Sequence, residues 1–421
     1  MYEVIQQAAE RPANNEHDLF LITLSGEDKP GITSRLTEIF AAYDVVVLDI
    51  GQSVIHDSLS LGFLIQIPKT GNSSDILKDL LYAGYEMNIP VKFRPVTEER
   101  YNEWAKKQGK DRYIVSLLGR ELTARQIAAV TGIVYEQGLN IDAISRLSGR
   151  ISLDRKNEKA KASVEISLRG IPRDLEAMKA AFFSASQEYG IDIAFQADTI
   201  YRRNRRLVCF DMDSTLIQTE VIVELARHAG VGDKVHEITE AAMRGEIDFA
   251  ESFRRRVALL KGLDEEVLQE VASRLPLTEG VERLVSTLHQ LGYKTAILSG
   301  GFTFFGQYLQ KLLGFHYVYA NELEIVDGKL TGKHLGEIVD GAKKAEYLKM
   351  LALKENIQLE QVIAIGDGAN DLPMIHAAGL GIAFQAKPLV RANADHAIST
   401  IGLDGVLYLL GFRDRELEMK K

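Results

Sequence analysis

Leu207-Val208-Cys209-Phe210-Asp211-Met212-Asp213-Ser214-Thr215 is a short apolar run that ends in two aspartates one residue apart and two hydroxyl side chains. An uninterrupted apolar run of this length predicts a strand buried on both faces of a parallel sheet. It delivers Asp211 and Asp213 to the loop at its carboxyl end, where open α/β sheets form their ligand crevices. One carboxylate so placed suits attack on an electrophile, its neighbour suits proton transfer, and both suit a hard cation with oxygen ligands. Taken alone, the D-x-D pair equally fits a solvated loop or a helix cap.

Other parts of the chain repeat the pattern. Thr295-Ala296-Ile297-Leu298 runs into Ser299-Gly300-Gly301, and Val362-Ile363-Ala364-Ile365 runs into Gly366-Asp367-Gly368-Ala369-Asn370-Asp371. Lys344 stands upstream of the latter on a segment with helical character. Apolar runs that each end in groups suited to a phosphate or a cation, in this order, point to one shared site.

These residues, together with Glu220 and Arg256, carry a resemblance. From about residue 205 onward the chain resembles the haloacid dehalogenase superfamily of phosphatases, and within it the branch that acts on O-phospho-L-serine. The resemblance implies a Rossmann-like parallel sheet with a helical cap and a Mg2+-dependent hydrolysis through an aspartyl-phosphate. Asp211 is then the nucleophile, and Asp213 gives a proton to the departing serine oxygen and takes one from the attacking water. A carboxyl beside another carboxylate is hard to ionise, which favours a proton on Asp213. Asp211, the backbone carbonyl of Asp213 and Asp367 would hold the metal. Ser299, the Gly300 N–H and Lys344 would hold phosphate oxygens, while Asn370 and Asp371 would orient the metal and its waters.

Between residues 216 and about 276 the sequence reads as several helices, an insertion expected to cover the site. There Glu220 and Arg256 have the charges needed for the ammonium and carboxylate of an amino acid. Each also fits a plainer role, Glu220 as a first-turn helix acid and Arg256 as the third of three arginines on a solvated face. Met243 and Phe249 fit either apolar closers of the pocket or core packing. Leu323-Glu324-Ile325-Val326 meeting Asp327-Gly328 predicts a hairpin.

The first half holds a weak internal repeat with a spacing of about 93 residues: Leu24 answers to Leu117, Gly26 to Gly119 and Asp49 to Asp142. Each copy reads β-α-β-β-α-β, a ferredoxin-like α+β order, and both resemble ACT domains, which implies amino-acid binding and pairing between copies of the chain. Asp28-Lys29-Pro30-Gly31 supplies a tight turn in the first copy; Leu122-Thr123-Ala124 replaces it in the second. The expected division is residues 1–98 and 112–200 for the two ACT-like domains, 99–111 for a linker or exposed helix, and 201–421 for the catalytic domain with its cap at about 217–278. Arg202, Arg203, Arg205 and Arg206 read as a solvated hinge in preference to a basic patch.

With 421 residues, 46% hydrophobic and 26% charged, the chain suits several globular domains. A net charge of −9 argues against a nucleic-acid partner. No apolar stretch approaches a membrane span, and the first residues lack a secretory pattern, so a cytoplasmic location and no membrane partner are expected. The single cysteine forms no internal disulfide, and the nine histidines show no H-E-x-x-H pair for zinc. Two other readings stand beside phosphoserine hydrolysis: a phosphotransferase or phosphatase for another small ester, and an amino-acid sensor on a degenerate scaffold. A homodimer is expected from the repeats.

Overall fold

The structure, a computed structural model, describes residues 17–68, 73–106, 111–150 and 160–417. The side chains of His17 and Met243 lie outside that description, as do the first 16 residues and residues 107–110 of the expected linker. The chain divides near residue 109 into two compact units.

In the first unit the order is β1 (His17–Glu27), helix Ile32–Ala42, β2 (Val46–Ile55), β3 (Ser58–Pro68), helix Ser73–Glu86 and β4 (Val91–Val96). The four strands form an antiparallel sheet in the order β2-β3-β1-β4. Strict alternation along β3 buries Leu59, Leu61, Phe63, Ile65 and Ile67, which pack with Leu36, Phe40, Ile76 and Leu80 of the two helices. Gly31, at φ 93°, makes the turn into the first helix, a conformation that favours glycine. Helix Glu98–Lys106 follows and buries no residue, as a segment without apolar period should.

The second unit begins with the same motif: β5 (Arg112–Gly119), helix Ala124–Glu136, β6 (Asn140–Arg146), β7 (Ala162–Arg169), helix Leu175–Tyr189 and β8 (Asp192–Ala197), with sheet order β6-β7-β5-β8. The repeat extends to an irregularity, since the pairing register slips between Val47 and Asp49 in β2 and between Ile141 and Ala143 in β6. Where the first copy uses Pro-Gly, the second starts its helix with a reciprocal cap between Thr123 and Gln126.

A seven-stranded sheet follows, built from β9 (Leu207–Phe210), β10 (Lys294–Phe302), β11 (Tyr317–Val326), β12 (Lys329–Leu335), β13 (Val362–Gly366), β14 (Leu380–Phe384) and β15 (His396–Ile398). Their order is β12-β11-β10-β9-β13-β14-β15, with β9 parallel to both neighbours. Val208 and Phe210 pack on one face, Leu207 and Cys209 on the other, so the opening run is buried on both sides. β12 alone runs antiparallel, through a two-residue turn in which Asp327 and Gly328 both have positive φ.

Helices Val221–His228, Gly232–Met243, Phe249–Ala258 and Glu266–Ser273 form the insertion. Its two ends are stitched together: Gln218 N donates to Pro276 O at 2.9 Å, and Thr278 N to Leu216 O at 3.0 Å.

Within this unit the β5–β8 domain is firmly docked on the catalytic sheet. Asp192 Oδ2 accepts hydrogen bonds from Ser399 N (2.9 Å), Thr400 N (2.8 Å) and Thr400 Oγ1 (2.6 Å). Arg120 makes a two-point contact with Glu279, at 2.9 and 2.6 Å. Leu118, Leu147 and Ala194 share an apolar cluster with Ile401, Leu403 and Val406. The arginine stretch at 202–206 is only half solvated: Arg203 and Arg206 are exposed, as a solvated hinge would have them, and the other two are not. Arg202 and Arg205 are buried, the first against Glu165 and the second against the carbonyl of Glu360, because the domain interface closes over them. Among the described residues no helix is long and apolar enough to cross a membrane.

Asp192→Ala strands three donors at this junction and should destabilise the full chain by about 2 kcal/mol. Urea unfolding followed by far-UV circular dichroism measures it, and an unchanged midpoint would mean that these hydrogen bonds add no net stability.

Candidate active site

The carboxyl ends of β9, β10 and β13 meet the first turn of helix Gly341–Lys354. Asp211 N donates to Ile365 O at 2.8 Å, continuing the β9–β13 pairing for one residue and fixing where the Asp211 side chain emerges. Lys344 is fully buried, and its Nζ lies 2.6 Å from Asp211 Oδ1 and 2.6 Å from Asp371 Oδ1. Asp371 in turn accepts from Gly368 N at 2.9 Å. Gly366 makes room for it, since a Cβ there would sit 2.4 Å from Asp371 Cγ. Thr215 Oγ1 donates to Asp367 Oδ1 at 3.2 Å.

Asp211, Asp367 and Asp371 bring carboxylate oxygens within 4.8 Å of one another. Three carboxylates to one ammonium leave an excess of negative charge in a poorly solvated space. Burial and the charge of Asp371 push the Asp211 carboxyl up to about 7, against the pull of Lys344. Burial and Asp211 push Asp367 up to about 8. Burial opposes the Lys344 charge, yet Asp211 and Asp371 outweigh it and hold the ammonium well above its ordinary value. This is a hard-oxygen donor set short of positive charge, the chemistry a small divalent cation such as Mg2+ satisfies. Sequence reasoning placed Asp371 behind the metal ligands; the fold puts its carboxylate among the three. The Asp213 carboxylate is not one of them, being engaged at Oδ1 by Val221 N at 3.0 Å. Burial and the Asp211 charge push it up to about 8.

Opposite this cluster, Ser299 Oγ is buried and accepts from Gly301 N at 2.9 Å. The two glycines are where side chains would collide. A Cβ on Gly301 would lie 2.5 Å from Asp213 Oδ2, and one on Gly300 would lie 3.0 Å from Phe249 Cζ and 3.7 Å from Asn370 Nδ2. Asp213, Ser299, Phe249 and Asn370 therefore converge on this glycine pair. Asn321 completes the loop, donating to Gly300 O at 2.9 Å while accepting from Val339 N at 2.8 Å. Sequence reasoning missed it; its one signal was an amide inside the otherwise apolar and aromatic start of β11. Thr215, which follows the D-x-D pair, takes its place in the site through its hydrogen bond to Asp367.

From the insertion, Arg254 and Arg255 are exposed and pair with Glu251. Arg256, the next residue, is 9% exposed, touches Ser252 O at 3.4 Å through Nε, and has no ion-pair partner among the described residues. Burial lowers its guanidinium below the ordinary value, and the charges of Glu220 and Asp213 oppose that shift. Glu220 precedes helix Val221–His228, is exposed and makes no capping hydrogen bond. Phe249 opens the helix that Asp248 caps and stacks on Phe253. Met243 ends helix Gly232–Met243, its side chain outside the described residues.

Residues 208–376 match the haloacid dehalogenase-like hydrolase family, and residues 18–94 match the ACT domain family. The chain is similar to a phosphoserine phosphatase of Streptomyces coelicolor, with 43% identity over 94% of this chain and 93% of that one. It is similar to a phosphoserine phosphatase of Mycobacterium tuberculosis, with 39% identity over 94% of each. Its fold is similar to the crystal structure of a probable phosphoserine phosphatase from Vibrio cholerae in unliganded form. There the TM-score is 0.55 with 34% identity, covering 72% of this chain and 87% of that one.

Because a metal needs ionised ligands, Mg2+ added to metal-free protein near neutral pH should displace protons from the Asp211–Asp367–Asp371 cluster. Calorimetric titration in buffers of different ionisation enthalpy reads this directly. Identical heats in all buffers would show that no proton leaves.

Proposed function

The chain belongs to the phosphoserine phosphatases of the haloacid dehalogenase-like hydrolases, and we propose that it hydrolyses O-phospho-L-serine to L-serine and phosphate through an aspartyl-phosphate, as the last step of serine biosynthesis. The observation that carries the substrate assignment is Arg256. A guanidinium nine-tenths buried without an ion-pair partner among the described residues, its charge felt by Asp213, suits the carboxylate of an amino acid whose phosphate lies at the strand ends. Glu220, exposed and free of capping duty, suits the ammonium.

In this reading an Asp211 oxygen attacks phosphorus, and the bond from phosphorus to the serine oxygen breaks. Asp213, raised to about 8, carries the proton that the leaving oxygen needs. The same carboxylate, now ionised, takes a proton from water as that water attacks the aspartyl-phosphate and frees Asp211. Ser299 Oγ, the Gly300 N–H and Lys344 bind phosphate oxygens, while Asn370 and Asp371 orient the metal and its waters. Asp211, the Asp213 carbonyl and Asp367, with Asp371 adjacent, would hold Mg2+, which supplies charge neutralisation at the phosphoryl oxygens. Phe249 closes the apolar side of the pocket.

The proposed domains are ACT-like residues 1–98 and 112–200, a linker at 99–111, and catalytic residues 201–421 with the cap at about 217–278. A cavity of about 340 Å3 lined by Asp28, Pro30, Gly31, Thr33, Ser34 and Gln52 supports an amino-acid effector site in the first copy. In the second copy the self-satisfied Thr123–Gln126 cap takes the place of the Pro-Gly turn, which supports a structural role for that copy. A homodimer and a cytoplasmic location, which suits a lone buried cysteine, complete the reading.

Phosphate release from a panel of phosphomonoesters tests the substrate. Asp211→Asn should abolish turnover of all of them without unfolding. Arg256→Ala should lower kcat/KM for phosphoserine by roughly 100-fold and for an aryl phosphate by only a few-fold; equal losses would remove the carboxylate clamp. For the effector site, calorimetry with L-serine should give two binding events in the full chain and one in Thr33→Trp, which fills the cavity. A single event in both would discard the effector.

A further inference from the structure

Strand β10 does not run evenly beside β11. Leu298 pairs with Tyr319 and Phe302 with Asn321, so Ser299, Gly300 and Gly301 together stand against the single residue Ala320. The Asn321 side chain takes over two carbonyls of that bulge. Its Nδ2 donates to Gly300 O at 2.9 Å and to Gly301 O at 3.3 Å, while its Oδ1 accepts from Val339 N at 2.8 Å. Carbonyls only accept and a backbone N–H only donates, so these partners allow one orientation of the amide. The residue is 1% exposed, and its amide is satisfied on both sides.

Two adjacent glycines have little conformational preference of their own, so the shape of this bend must be imposed from outside. The peptide between Gly300 and Gly301 is held at both ends: Asn321 grips its carbonyl, and its N–H donates to Ser299 Oγ at 2.9 Å. A hydroxyl that accepts through one lone pair keeps its hydrogen free to donate elsewhere. The clamp on the peptide therefore sets where the Ser299 hydroxyl points. At its other end Asn321 fixes Val339, next to Asp340, whose carboxylate caps helix Gly341–Lys354 by accepting from Lys343 N at 2.9 Å. Lys344 follows in the first turn of that helix. One buried amide thus ties the Ser299-Gly300 bend to the entry of the lysine helix.

We propose that Asn321 is a positioning residue for phosphate binding: it touches no substrate, and it holds Ser299 Oγ, the Gly300 N–H and the lysine helix in mutual register. The inference rests on the reading above, in which those groups bind the phosphoryl oxygens. Misplacement by about 1 Å is enough to cost roughly 100-fold in rate. Asn321→Asp keeps the shape and the acceptor for Val339 N, but turns an oxygen toward the two carbonyls, so the bend is repelled where it was held.

Asn321→Asp, Ser299→Ala and the double variant are compared in the full chain with an aryl phosphate as substrate. A wild type that hydrolyses the aryl ester and not phosphoserine would sink the substrate assignment alone and leave this comparison intact. Asn321→Asp should lower kcat/KM by about 100-fold and weaken inhibition by orthophosphate by about tenfold, with the Mg2+ affinity read by calorimetry within about threefold of wild type. In the Ser299→Ala background the same substitution should cost about tenfold less than in wild type. A residue that merely stabilises the fold would multiply the two losses and leave the phosphate affinity of the folded fraction unchanged. Asn321→Ser, small enough to admit water in place of the amide, carries the same comparison if the aspartate prevents folding. Multiplied losses, undiminished inhibition by orthophosphate, or a parallel loss of Mg2+ binding overturns the proposal.

Discussion

Lys344 is enclosed on all sides, and its ammonium is tied at 2.6 Å to both Asp211 and Asp371. Removing one partner from a buried ion pair costs roughly 3–5 kcal/mol, because the other charge is left without compensation. The three residues come from the end of β9, a helix and the loop after β13, so satisfying one buried charge requires three remote parts of the chain to arrive together. The arrangement concentrates carboxylates beyond what the lysine can neutralise, a surplus that suits a divalent cation.

The buried guanidinium of the insertion lies on a different element and follows a simpler logic. Three arginines in a row are chemically identical in the sequence, but on helix Phe249–Ala258 they point in directions about 100° apart. Arg254 and Arg255 reach solvent and Glu251, while Arg256 shares the inner face with Ser252, Phe253 and Val257. Helical geometry thus selects one of three equal charges and places it under the cap with its hydrogen bonds largely unspent.

Much of this was legible in advance, for physical reasons. Strands buried on both faces announce themselves as unbroken apolar runs, and the residues at their ends must share the crevice at the carboxyl edge, which is why Asp211, Ser299 and Asp367 could be grouped from sequence. The ferredoxin-like repeats were legible through alternation, and the Asp327-Gly328 turn through its demand for positive φ. What stayed hidden depended on partners distant in the chain. Asn321 looks like any polar residue until β11 lies beside the Gly300 loop. Arg202 and Arg205 look like a solvated run until two domains close over them. Asp371 looked secondary because its closeness to Asp211 and Asp367 is created by a short turn at Gly366–Gly368.

The shared apolar cluster that joins Leu118, Leu147 and Ala194 to Ile401, Leu403 and Val406 bears on how this chain can be divided. Residues 401–410 are almost wholly buried, yet part of what buries them lies before residue 200. A fragment starting at the nucleophile strand would present this greasy C-terminal segment to water and be prone to self-association. The catalytic half of this chain is therefore shaped as a tenant of its neighbour, and shortening it cleanly would require repainting that face with polar side chains.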